Sequence, residues 1–197
     1  MISIDSGSAK DIHGWMRLVK KVCGSFPGLE TEEALAGHRQ TVLDFMSRQE
    51  AICARQDGEI VGVLLFSKEN NMLCFLAVDP AYRRQHIAEK LFRFMLPQMQ
   101  ESKPITVTTY REGVPEGLAA RAFYTRMGFT EGKLTEEFGS PVQEFVRQAV
   151  APMTGNVNCP CKKRSVNGME IAMPAALIMR NQNGSVHVKE RRTAGYE

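Results

Sequence analysis

The stretch that most constrains this chain is Met72 to Val78 (MLCFLAV), an unbroken apolar run closed by Asp79-Pro80. With no polar member, it predicts a strand covered on both faces, at the centre of a sheet. A short loop with two arginines follows, and then Ile87, Leu91, Phe94 and Met95 recur at helical spacing up to Pro97. A helix that starts directly after a strand and loop exposes unpaired N–H groups and a partial positive charge at its first turn. That is a place for a phosphate or diphosphate, and Arg83 and Arg84 add charge beside it.

The remaining segments fall around this unit. ISI predicts a short first strand, and Ala9, Ile12, Trp15, Met16, Val19 and Val22 predict an amphipathic helix that ends before Gly24. Thr31 can cap a second helix, with Leu35, Val42, Phe45 and Met46 on its apolar stripe up to about Arg48. AICAR and IVGVLLFS read as a hairpin about Asp57-Gly58, a pair that tolerates positive φ. PITVTTY (104–110) predicts a strand, Glu116 to Met127 a helix capped by Gly128, and Phe129 to Phe138 and Val142 to Val150 two final strands separated by Gly139-Ser140-Pro141. The order β-α-α-β-β-β-α-β-α-β-β predicts an α/β (α+β) domain over residues 1–150, a mixed sheet with helices on both faces.

Two motifs in this frame carry a resemblance. After the central strand the sequence reads V-D-P-A-Y-R-R-Q-H-I-A, with Arg83, His86 and Ala88 at the positions of a Gln/Arg-x-x-Gly-x-Gly/Ala loop. About 40 residues on, the segment Ala120 to Phe129 contains Phe123-Tyr124 and ends in Met-Gly-Phe. Together these resemble the GNAT superfamily of acyl-CoA-dependent N-acetyltransferases, whose sheet is mixed and mostly antiparallel. The resemblance implies acetyl-CoA as acyl donor. Its diphosphate would lie on the backbone of Arg83, Arg84, Gln85, His86, Ile87 and Ala88, and its pantetheine arm along Leu76, Ala77 and Val78, where the strand splays from its neighbour, with Phe123 alongside.

It further implies direct attack of an amine on the thioester, with Tyr124 as the general acid that protonates the departing thiolate. His86 departs from the pattern, because glycine lets phosphate oxygens approach without a Cβ in the way. With a negative φ there, His86 still offers its N–H and turns its ring outward. The base stays open: MLCFLAV holds no carboxylate, and Glu69, Glu112 and Glu136 or a water chain are all candidates. The acceptor site in this architecture comes from the first two helices and the last hairpin, so Trp15, Phe26 and the pair Glu136-Glu137 are candidate lining, and carboxylates suit a cationic amine.

Composition bounds the alternatives. Residues 1–150 hold 18 Lys+Arg and 19 Asp+Glu, and residues 151–197 hold 7 and 3. A general basic face for nucleic acid is therefore not expected. No run approaches the roughly 18 apolar residues of a membrane span, and Asp5 and Asp11 stand where a signal peptide needs an apolar block, so the expectation is a cytoplasmic protein without membrane attachment. Five cysteines suit a reducing compartment, with Cys23, Cys53 and Cys74 as core residues.

Residues 151–197 form a basic extension. Cys159 and Cys161 supply two thiols and His187 one further ligand, short of a closed zinc site, so no metal is expected. The function expected is an N-acetyltransferase acting on a primary amine of a small molecule or peptide, with a homodimer compatible with that reading. The competing reading is an acyl-CoA-binding sensor without turnover, suggested by His86 and by the lack of a carboxylate on the central strand.

Overall fold

Strand and helix signals fall in the chain where the computed structural model, which describes residues 1–149, places the elements. Strand β1 (Ile2–Ser6) leads through a short 3-10 turn into helix α1 (Ile12–Val22), whose buried residues Trp15, Leu18, Val19 and Val22 form one stripe. Helix α2 (Glu32–Ser47) starts at Thr31, whose side-chain oxygen accepts from the Ala34 N–H at 3.1 Å, the expected cap. Strands β2 (Ala51–Gln56) and β3 (Glu59–Ser67) are joined by Asp57 and Gly58 at φ 51° and 84°, both in the left-handed region that the hairpin turn requires.

Strand β4 (Met72–Val78) feeds helix α3 (Ile87–Met95); β5 (Ile105–Tyr110) precedes α4 (Leu118–Arg126); β6 (Thr130–Glu137) and β7 (Ser140–Arg147) close the domain. The last turn is Phe138-Gly139, both at positive φ, and Ser140 and Pro141 belong to β7 rather than to the turn. The seven strands form one sheet in the order β1-β2-β3-β4-β5-β7-β6, antiparallel throughout except for the parallel pair β4–β5.

Two cores lie on the two faces. One, beneath α3 and α4, contains Leu91, Phe92, Met95, Phe123, Tyr124 and Phe145. The other, beneath α1 and α2, contains Trp15, Val19, Val42, Phe45 and Phe75. On α3 the inward residue is Phe92, 2% exposed, while Phe94, which the stripe reading placed inside, is exposed. Trp15 is wholly enclosed in the α1/α2 core, so it is not part of a binding surface.

The central strand also differs from a strand covered everywhere. Leu73, Phe75 and Ala77 are buried, whereas Met72, Cys74, Leu76 and Val78 are half-buried. A bulge explains the packing: Leu65 pairs with Phe75 and Phe66 with Leu73, which leaves Cys74 unpaired with β3 and changes which face the following residues meet. Leu73 packs beneath α3, and Phe75 and Ala77 beneath α1 and α2. Among the described residues no helix is long and apolar enough to cross a membrane.

Candidate active site

Parallel β4 and β5 pair at one register position, Met72 with Thr106. Beyond it they part, and a cleft of about 690 Å³ opens between them. Leu76, Ala77 and Val78 line it on one side and Val107 to Tyr110 on the other. Because α3 and α4 cover one face of the sheet and α1 and α2 the other, this wedge is in reach of both helical layers.

The loop from β4 to α3 is held at its start by Asp79. Its N–H donates to the Val61 carbonyl at 2.9 Å, and one carboxylate oxygen accepts from the Ala81 N–H at 3.0 Å. The Lys21 ammonium donates to the other oxygen at 2.7 Å, and that bond holds the Asp79 carboxyl below the usual range. Arg83, Arg84 and Ala88 line the cleft. Gln85, His86 and Ile87 do not: Gln85 and His86 are exposed, and Ile87, the first residue of α3, is buried against Gly62, where an added Cβ would meet Ile87 Cγ2 at 2.7 Å.

What these three can present to a ligand is backbone. The helix hydrogen bonding begins with the Lys90 N–H donating to the His86 carbonyl, and no side chain caps the helix, so the first-turn N–H groups are open. His86 itself sits at φ 58° and Arg84 at φ 63°. The condition of a negative φ at His86 is therefore not met: the backbone keeps the left-handed conformation a glycine would take freely, with histidine in it. The ring turns outward all the same, its Nδ1 3.2 Å from Glu89 Oε2.

Tyr124 and Phe123 reach the cleft from α4. Tyr124 is 5% exposed, its ring 5.5 to 6.0 Å from those of Phe123, Phe129 and Phe145. Burial pushes the phenol above its ordinary range, so it stays protonated at neutral pH. The helix ends two residues later at Arg126, with Gly128 at φ 85° just beyond its cap, and the Phe129 N–H donates to the Tyr124 carbonyl at 3.0 Å.

Arg121, one turn earlier, is buried and donates to Gln143 Oε1 at 2.7 Å and to Glu131 at 2.6 Å, tying α4 to the last hairpin. The sequence reading missed Arg121. It also missed His38, which lines the cleft from α2. The available signal was its place on the stripe of Leu35, Val42 and Phe45, where an unpaired polar side chain is out of character.

Of the acceptor-side candidates, Phe26 and Glu137 line the cleft. Glu136, Glu69 and Glu112 are exposed and outside its lining; the carboxylates in it are Glu116 and Glu137.

The mixed sheet thus splits between its two parallel strands, with an open helix N-terminus and a buried phenol lining the split. The family model described as an acetyltransferase (GNAT) domain matches residues 31–144, more than half of the chain. The chain belongs to the GNAT acetyltransferase family.

No curated protein matches it significantly. Among solved structures, a GNAT-family acetyltransferase from Bacillus cereus matches with a TM-score of 0.59 at 18% identity, covering 77% of this chain and 99% of that one. The ribosomal-protein-S18-alanine N-acetyltransferase of Escherichia coli gives 0.59 at 16% identity over 80% and 100% of the two chains. The PaiA N-acetyltransferase of Thermoplasma acidophilum, in complex with coenzyme A, gives 0.55 at 16% over 75% and 99%. Identities this low establish the common fold alone. The extension 151–197, including Cys159, Cys161 and His187, lies outside the described residues.

Proposed function

We propose that the protein transfers the acetyl group of acetyl-CoA to a primary amine of a small molecule or peptide. The observation that carries this reading is the position of Tyr124, a buried and protonated phenol lining the wedge between β4 and β5. The diphosphate of the donor lies on the open N–H groups at the start of α3, with Arg83 and Arg84 balancing its charge. The pantetheine arm takes the place of the missing β5 partner along Leu76 to Val78, beside Phe123.

The neutral amine attacks the thioester carbonyl carbon, and backbone N–H groups freed by the splay stabilise the oxyanion. As the C–S bond breaks, the thiolate takes the phenol proton of Tyr124, and the proton shed by the new amide nitrogen restores the phenol through solvent. The products are the acetylated amine and coenzyme A.

The Thermoplasma relative, described in complex with coenzyme A, supports the choice of donor. Calorimetry with acetyl-CoA, together with thiol release over a panel of amines, tests the reading. Binding heat with amine-dependent thiol release is expected. Binding without release for any amine points to a sensor, and no heat at all ends the case for the coenzyme.

A further inference from the structure

The Tyr124 phenol is held only from its sides. Among the described residues no hydrogen bond reaches its hydroxyl, and the ring is kept in place by Phe123, Phe129 and Phe145. The helix that delivers it buries little else: of α4, only Arg121, Phe123 and Tyr124 are buried. Where the phenol oxygen lies in the cleft therefore depends on how α4 is fastened to the sheet.

Arg121 is the polar fastening. It stands one turn before Tyr124 on the same side of the helix, and its guanidinium reaches three strands. Nη1 donates to Gln143 Oε1 of β7 at 2.7 Å and, more weakly, to the Tyr110 carbonyl at the end of β5 at 3.4 Å; Nη2 donates to Glu131 of β6 at 2.6 Å. These partners are themselves fixed. The Gln143 side-chain nitrogen donates to the Gly132 carbonyl at 3.2 Å, in the stretch where β6 slips register against β7. Gly117, just ahead of α4, comes so close to Tyr110 that an added Cβ would meet the Tyr110 Cβ at 2.7 Å.

The same guanidinium lies over the Phe145 ring, 5.0 Å from its centroid, and that ring is 6.0 Å from the ring of Tyr124. Phe145 pairs with Val107 of β5, in the wall of the cleft. Desolvation is what raises the phenol, with no neighbouring charge contributing, so Arg121 acts on Tyr124 through place and not through its field.

We propose that Arg121 is a positioning residue for Tyr124: bound to β5, β6 and β7 at once, its guanidinium sets the height of α4 against the β5 wall and thereby the place of the phenol oxygen. The proposal rests on the acetyl-transfer reading and deepens it. A misplacement of about 1 Å costs as much as 100-fold in rate, so a fastening outside the cleft can govern turnover without touching substrate.

The test measures thiol release from acetyl-CoA by the full chain with phenethylamine, spermidine and a pentapeptide beginning with alanine, the fastest of the three then serving as acceptor. Arg121→Lys keeps the charge and loses the planar fork that joins several acceptors. We expect kcat about tenfold below that of the unaltered protein. The acetyl-CoA dissociation constant by calorimetry and the KM for the amine stay within about twofold. In the Tyr124→Phe background the same substitution leaves kcat within about twofold, because the group it positions is gone. Glu131→Ala, at an exposed position, removes one arm and lowers kcat about threefold, again only where Tyr124 is present. It carries the comparison if lysine at 121 does not fold.

Equal losses in the two backgrounds mean that Arg121 only stabilises the fold, and they overturn the positioning role while acetyl transfer stands. Full activity of Arg121→Lys, a loss confined to acetyl-CoA affinity, or undiminished turnover by Tyr124→Phe does the same. Absence of both binding heat and thiol release from the unaltered protein overturns acetyl transfer itself, and this proposal with it.

Discussion

Met72 of β4 pairs with Thr106 of β5, and among the described residues no later position of β4 pairs with β5. The apex of the wedge is fixed by the neighbouring residue. The Thr106 N–H donates to the Asn71 carbonyl at 3.2 Å, and the buried Asn71 amide donates to the carbonyls of Gln100, Lys103 and Pro104 at 3.0 to 3.1 Å. Its Oδ1 accepts from the Gln100 N–H at 2.7 Å. One side chain therefore clamps the start of β4 to the segment that leads into β5, and the strands diverge from that clamp.

Asn71→Ala removes the four side-chain bonds but keeps the Thr106 N–H bond to the carbonyl of residue 71, leaves buried backbone groups unpaired, and puts alanine at φ 50°. The expected cost is about 2 kcal/mol. For a domain of this size it corresponds to a fall in Tm of roughly 4–8 °C. A thermal melt that matches the unaltered protein would show that the apex is held by strand pairing alone.

Tyr124→Phe keeps the aromatic packing with Phe123, Phe129 and Phe145 and deletes the phenol proton. The turnover number should fall by about 100-fold, the lower range for loss of a general acid. Acetyl-CoA affinity should stay within about twofold, and KM for the amine should change little. Steady-state kinetics beside calorimetry check this, and equal losses in turnover and coenzyme affinity would assign Tyr124 to binding.

His86→Gly tests the strained loop. A non-glycine residue in the left-handed region carries a cost of roughly 1 kcal/mol, and the exposed contact of His86 with Glu89 offsets little of it. The variant should gain about 2–4 °C in Tm and bind acetyl-CoA at least as well, since a Cβ no longer borders the open N–H groups. Lower stability would mean that the Glu89 contact outweighs the backbone strain.

Much of the fold was legible because local chemistry and global packing agree. Asp57-Gly58, Thr31 and Gly128 each mark a turn or cap by their own conformational preferences, and they sit where the structure uses them. Phe92 and Phe94 show where that reading ends: both flank the Leu91 stripe, and the face that α3 turns to the sheet decides between them.

The cleft was legible only through the resemblance, because strand divergence depends on the clamp at Asn71 and not on the composition of β4. The left-handed His86 was hidden for a related reason. A histidine carries no strong preference for that conformation, and the chain on either side imposes it. His38 escaped notice because its burial is created by Phe75 from a strand more than thirty residues away.

His38 also sets a pH signature. In the unfolded chain the imidazole takes a proton near its ordinary 6.5, whereas burial lowers it to about 4 in the folded protein. Between these values the unfolded state binds more protons, so the folded state is fully favoured above the upper value and loses stability as pH falls through the window toward the lower one. The loss from this one group amounts to about 3 kcal/mol between pH 7 and pH 4.

His38→Phe removes that dependence, while Asp79, whose carboxyl is held low chiefly by Lys21, keeps its own loss at more acidic pH in both proteins. Urea midpoints at pH 7, 5.5 and 4 should therefore fall more steeply for the unaltered protein than for the variant. Parallel curves would mean that the folded protein opens around His38 and lets it charge.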